Sequence, residues 1–65
     1  MQPEDIIWRI IDRLQESKEM LAASLEGLHP EKDKELIDAI TEVEQLTQTQ
    51  LNICRRAQRR LRGRS

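Results

Sequence analysis

The sequence predicts an all-α fold in which two helices form an antiparallel hairpin. Apolar residues recur with helical spacing, two segments open on a proline followed by acidic residues, and no stretch alternates apolar and polar residues as a strand does. A glycine and a proline divide the two helical segments, so the connection is short and the helices must run in opposite directions.

The first helix is expected over about residues 3–27. Pro3 suits the first helical position, where its missing N–H is not needed, and Glu4 and Asp5 lie against the positive end of the helix dipole. Gly27 is expected to close the helix in the left-handed conformation. The residues of the apolar stripe on this helix are Ile7, Ile10, Ile11, Leu14, Leu21, Leu25 and Leu28.

Pro30 begins the second segment in the same way, with Glu31 and Asp33 close behind it. We expect a turn over about residues 28–30 that is capped by His29, a helix over about 31–61, and a frayed tail over about 62–65. The broad core-facing surface of this helix is predicted to contain Leu36, Ile40, Val43, Leu46, Thr47, Gln50, Ile53, Cys54, Ala57 and Leu61.

Both apolar surfaces are wider than a contact between two helices requires. On a helical wheel Trp8 lies roughly 120° from the centre of the first stripe, while Ile6 lies on the opposite flank. The sequence therefore predicts that two hairpins pair as a homodimer into a four-helix bundle, or that a helical partner protein covers the same flanks. The candidate partner-binding residues are Ile6, Trp8, Ile11, Ile37 and Leu51.

Polar residues also occur near the middle of the predicted bundle. Folding the hairpin about its turn brings Ser17 and Lys18 level with Glu44 and Thr47, and Gln50 follows one turn later. These side chains either lie at the rim, where Lys18 reaches water, or form a buried polar layer that fixes the register of the helices.

Length and composition argue against catalysis. The chain has 65 residues, 37% of them apolar, with no Phe or Tyr, which makes one small domain without room for a buried cleft. No nucleophile–base set, phosphate-binding glycine loop or metal-ligand pattern is present, so no catalytic residue, metal or cofactor is predicted. Cys54 is alone and is expected to pack as a small apolar residue, and a cytoplasmic location is expected.

The charge of the chain is strongly asymmetric. Residues 55–65 contain six of the eight arginines and no acid, whereas residues 1–54 contain twelve acids and five basic residues. These arginines either form a solvated surface or bind an anionic partner, which is a nucleic acid or an acidic protein. A membrane is disfavoured because no long apolar residue accompanies them. The candidate anion-binding residues are Arg55, Arg56, Arg59, Arg60 and Arg62.

Two functional hypotheses follow. In the first, the protein is a small non-enzymatic interaction module, such as an adaptor, a co-chaperone or a regulator, that acts through its apolar helix faces. In the second, it is a small RNA- or DNA-binding regulator that uses the arginine-rich end of the second helix.

Overall fold

A computed structural model describes residues 2–63 as two helices, α1 (Pro3–Glu26) and α2 (Lys34–Gly63). The helices pack side by side in opposite directions, which confirms the predicted all-α hairpin. The molecule is elongated, measuring 52 × 16 × 13 Å. Neither helix within residues 2–63 has the length and apolar character needed to cross a lipid bilayer.

The first helix begins as its sequence predicts and ends differently. Pro3 occupies the first turn, and the carbonyl oxygen of Gln2 accepts the N–H groups of Asp5 and Ile6 at 3.0 and 3.2 Å. Gly27 follows the helix with φ −92° and ψ 1°, so the prediction of a left-handed glycine is wrong. A tighter bond closes the helix instead, from the Leu28 N–H to the carbonyl oxygen of Leu25 at 3.2 Å.

His29 organises the turn between the helices. Its ring Nδ1 accepts the N–H groups of Glu31 and Lys32, both at 3.2 Å, and its own N–H donates to the Asp33 carboxylate at 2.8 Å. This reciprocal pattern resembles a capping box, in which the side chains at both ends of the first turn satisfy backbone donors. The expected capping role of His29 is therefore confirmed.

The second helix occupies a different span from the expected 31–61. Residues 30–33 form a separate turn, and the regular helix begins at Lys34. It continues through Arg62 to Gly63, which were expected to belong to a frayed tail, because nothing in this segment interrupts the helical bonding. Arg64 and Ser65, the rest of that tail, lie outside the described residues.

The core between the helices is small. Among residues 2–63 the buried side chains are Ile11, Leu51 and Thr47, which are 4%, 1% and 5% exposed. The Thr47 hydroxyl donates to the Val43 carbonyl of its own helix at 2.8 Å, so it needs no partner from α1. Because so little apolar surface is enclosed, burial of the core stabilises this hairpin less than it stabilises a typical domain.

Most of the polar residues expected near the middle lie at the rim. Lys18 and Glu44 are half-buried, and the Lys18 ammonium donates to the side-chain oxygen of Gln48 across the two helices. Ser17 and Gln50 are exposed. Thr47 is the member of this group that the hairpin buries.

Candidate functional site

The two packed helices leave a broad face on each side of their contact. On one side a groove is lined by Ile10 and Leu14 from α1 and by Gln50, Ile53 and Cys54 from α2. The groove on the other side is polar, and its lining residues are Gln15, Lys18, Glu19, Ala22, Glu44, Leu51 and Arg55. The hairpin therefore has an apolar side and a polar side.

The exposed large hydrophobic residues concentrate on the apolar side. Eight such residues are exposed in the described part of the chain. At 100° per residue, six of them fall on the flanks of α1 and α2 that meet at the Ile10–Ile53 groove, whereas Met20 lies on the outer side of α1 beside Arg13 and Glu16. We call these six residues the apolar face: Ile6, Ile10, Leu36, Val43, Leu46 and Ile53.

The five candidate partner-binding residues do not form one surface. Ile11 and Leu51 are enclosed between the helices, and Ile37 is half-buried beside them. Ile6 belongs to the apolar face, whereas Trp8, 51% exposed, lies on the flank that borders the polar side. Of these five residues, a partner could therefore contact Ile6 and Trp8 without separating the helices, and these two side chains face different directions.

The candidate partner-binding residues of the sequence analysis include Ile6 but none of the other residues of the apolar face. Leu36, Val43, Leu46 and Ile53 were expected to face the core, but all four are exposed, Leu46 at 58%. The sequence signal that identifies them is the flank of α2 that they share on a helical wheel. Leu46 and Ile53 are seven residues apart and lie farther from the α1 contact than Leu51 does.

The arginines of α2 form two rows rather than one patch. Arg55, Arg59 and Arg62 are spaced i, i+4, i+7 and follow the polar side, where Arg55 reaches the polar groove. Arg56 and Arg60 follow the apolar side and line a shallow groove with Ile53 and Ala57. We call these the polar-side row and the apolar-side row, and all five side chains are exposed.

Charge is separated along the long axis of the hairpin. At the open end, residues 2–13 and 55–63 contain seven arginines and three acids, a net side-chain charge of +4. At the turn end, residues 26–44 contain seven acids and two lysines, a net charge of −5. The molecule is therefore an electrostatic dipole whose positive and negative ends lie at opposite ends of a 52 Å body.

The described residues bring together no set of side chains with metal-binding potential. Across residues 2–63, His, Cys, Asp and Glu side chains form no cluster of three or more that could hold an ion. Cys54 is half-buried in the apolar groove. The features that distinguish the surface are thus the apolar face and the arginine rows.

Comparison with protein-family models, with curated proteins and with solved structures finds no match for this chain. Residues 2–63 form an all-α helical hairpin, and this is the structural class of the protein. A fold of this class serves many functions, so function has to be argued from the surface.

Proposed function

We propose that the protein is a small non-enzymatic interaction module, of the adaptor, co-chaperone or regulator type, that binds a helical surface through its apolar face. The observation that carries this proposal is the placement of six of the eight exposed large hydrophobic residues on one side of the hairpin. Single exposed apolar residues are ordinary, but a contiguous patch is characteristic of an interaction site.

The shape of the face favours a helical occupant. Its residues lie along both helices on either side of the Ile10–Ile53 groove, which runs between the helices. An amphipathic helix can place its own apolar stripe along such a groove, as in other helix-in-groove complexes. Each apolar side chain that becomes fully buried in this way contributes about 1.5–3 kcal/mol relative to full exposure.

Affinity capture with matched baits tests this proposal. We expect nuclease-treated lysate to yield protein partners, or untagged copies of the chain, on the wild-type bait. The same species should be lost from a Leu46→Lys/Ile53→Lys bait, because the lysines place charge on the apolar face. An Ala22→Lys/Thr41→Lys bait adds the same charge at exposed positions toward the polar side of the hairpin and should capture like wild type. Equal capture by all three baits would contradict the proposal.

A second candidate function is the binding of RNA or DNA, which is favoured by the polar-side row of exposed arginines. A guanidinium group binds phosphate through two parallel hydrogen bonds and stacks on bases, which an ammonium group cannot do. The net charge of −5 at the turn end opposes a polyanion over the rest of the body, so contact is restricted to the open end.

Salt dependence tests this second function. If the polar-side row binds a duplex, replacing Arg55, Arg59 and Arg62 together by Gln should reduce the slope of log K against log salt by about two to three units. Replacing Arg56 and Arg60 by Gln serves as the control and should leave most of the slope intact. We expect weak binding that is lost by physiological salt, measured by fluorescence anisotropy on labelled RNA. A tight complex at that salt concentration would make nucleic-acid binding the leading function.

A further inference from the structure

We infer that the occupant of the apolar face is a second copy of this chain, docked antiparallel, with the apolar-side arginine row of each copy against Glu35 and Glu42 of the other. This inference rests on the proposed function, since it names the helical surface that the apolar face binds. Three independent features support it: the area that the hairpin exposes, the direction of its dipole and the register of charges along α2.

The exposed area matches what a dimer would cover. The chain exposes 5391 Å², whereas a folded monomer of 7.7 kDa exposes about 4300 Å². The excess, on the order of 1000 Å², is similar to the ~800 Å² that each partner contributes to a standard interface. A face 52 Å long and 16 Å wide provides an area of the same order. A second hairpin has the same length and width and can cover the whole face.

The dipole selects between the two symmetric ways of stacking hairpins face to face. With both turns at one end, the +4 open ends adjoin each other and so do the −5 turn ends. With the turns at opposite ends, each positive end lies beside a negative end. The antiparallel arrangement is therefore the favoured one.

The charges on α2 are in register for that arrangement. Glu42 and Arg60 are 18 residues apart, which is five full turns, so they lie on the same flank of the helix. Glu35 lies on this flank as well, seven residues before Glu42. A two-fold axis that crosses α2 at right angles near Gln50 places α2 of the second copy antiparallel to α2 of the first. Arg60 then lies between Glu35 and Glu42 of the second copy. The same axis sets Leu46 against Ile53 of the second copy.

A charge-exchange experiment tests this geometry by sedimentation equilibrium on the full chain. Arg56→Glu/Arg60→Glu alone and Glu35→Arg/Glu42→Arg alone should each raise the dimer Kd about tenfold or more, because like charges meet in both homodimers. An equimolar mixture should form a heterodimer with a Kd within about threefold of wild type, because opposite charges meet at both contacts. All four positions are exposed, so the fold should be retained, and helicity by circular dichroism should fall slightly at most, because Glu35 and Arg60 lie in the first and last turns of α2.

The matched control reverses the other arginine row. Arg55→Glu/Arg59→Glu should leave the dimer Kd within about threefold of wild type, because these residues follow the polar side. If the Arg56→Glu/Arg60→Glu variant fails to fold, Arg56→Gln/Arg60→Gln replaces it. This milder variant should raise the dimer Kd about threefold or more. An unchanged Kd would overturn the inference.

Two results would overturn the inference. A mixture that associates no better than its separate components would exclude the antiparallel contact. A wild-type chain that remains monomeric at about 100 µM would exclude a second copy as the occupant. If the chain is monomeric but the wild-type bait captures a protein that the Leu46→Lys/Ile53→Lys bait does not, the proposed function stands and this inference fails.

Discussion

Replacing Leu46 and Ile53 together by lysine should convert the protein from a dimer to a monomer. Wild type at micromolar concentration should sediment with a mass near twice 7.7 kDa, and the variant with a mass near 7.7 kDa. The substitutions remove four apolar side chains from a symmetric interface and introduce four charges. Because Leu46 and Ile53 are 58% and 51% exposed in the hairpin, each gains roughly 1 kcal/mol from burial in the interface. The loss over four side chains is about 4 kcal/mol, which corresponds to a Kd raised about a thousandfold.

The matched control distinguishes the apolar face from added charge as the cause. Ala22→Lys/Thr41→Lys adds the same four charges to a dimer, at exposed positions toward the polar side, and should leave the mass unchanged. Dissociation of this control as well would indicate that charge alone, rather than the apolar face, governs association. A wild-type mass near 7.7 kDa at about 100 µM would contradict the prediction itself.

The sequence is sufficient to predict the hairpin because each of its determinants is local. Pro3 with the acids after it, Pro30, and the helical spacing of apolar residues act within a few turns of the chain. The errors are local as well. Gly27 was expected to be left-handed, but the last turn of α1 closes through the Leu28–Leu25 bond without a positive φ.

The apolar face could not be predicted because it depends on which flanks of the two helices lie on the same side. A helical wheel shows that both Ile6 and Trp8 lie off the centre of the α1 stripe, on opposite flanks. It does not show whether α2 packs so that its own apolar flank lies beside Ile6 or beside Trp8. The structure places Leu46 and Ile53 on the Ile6 side and leaves Trp8 next to the polar side.

The same uncertainty explains why the arginines were interpreted as one site. Along the sequence they form a single basic run, but the hairpin divides them between its two sides. The polar-side row supports the nucleic-acid hypothesis, and the apolar-side row supports the contact between copies. The two ideas therefore concern different residues, and substitutions in one row serve as the control for the other.

Replacing Leu51 by alanine should reduce the free energy of unfolding by about 2–5 kcal/mol per chain. Leu51 is 1% exposed and lies between the helices, so its truncation removes apolar contacts to both of them and leaves a cavity. Urea unfolding followed by circular dichroism at two protein concentrations measures the effect.

The control is Leu46→Ala, the same truncation on the same helix at a side chain that is 58% exposed. Because Leu46 contacts a second copy in the inferred dimer, its truncation should act on association, and the stability difference from wild type should shrink as the protein is diluted. The loss caused by Leu51→Ala should instead persist on dilution, because it arises within one hairpin. A loss below about 0.5 kcal/mol would show that Leu51 is not part of the core.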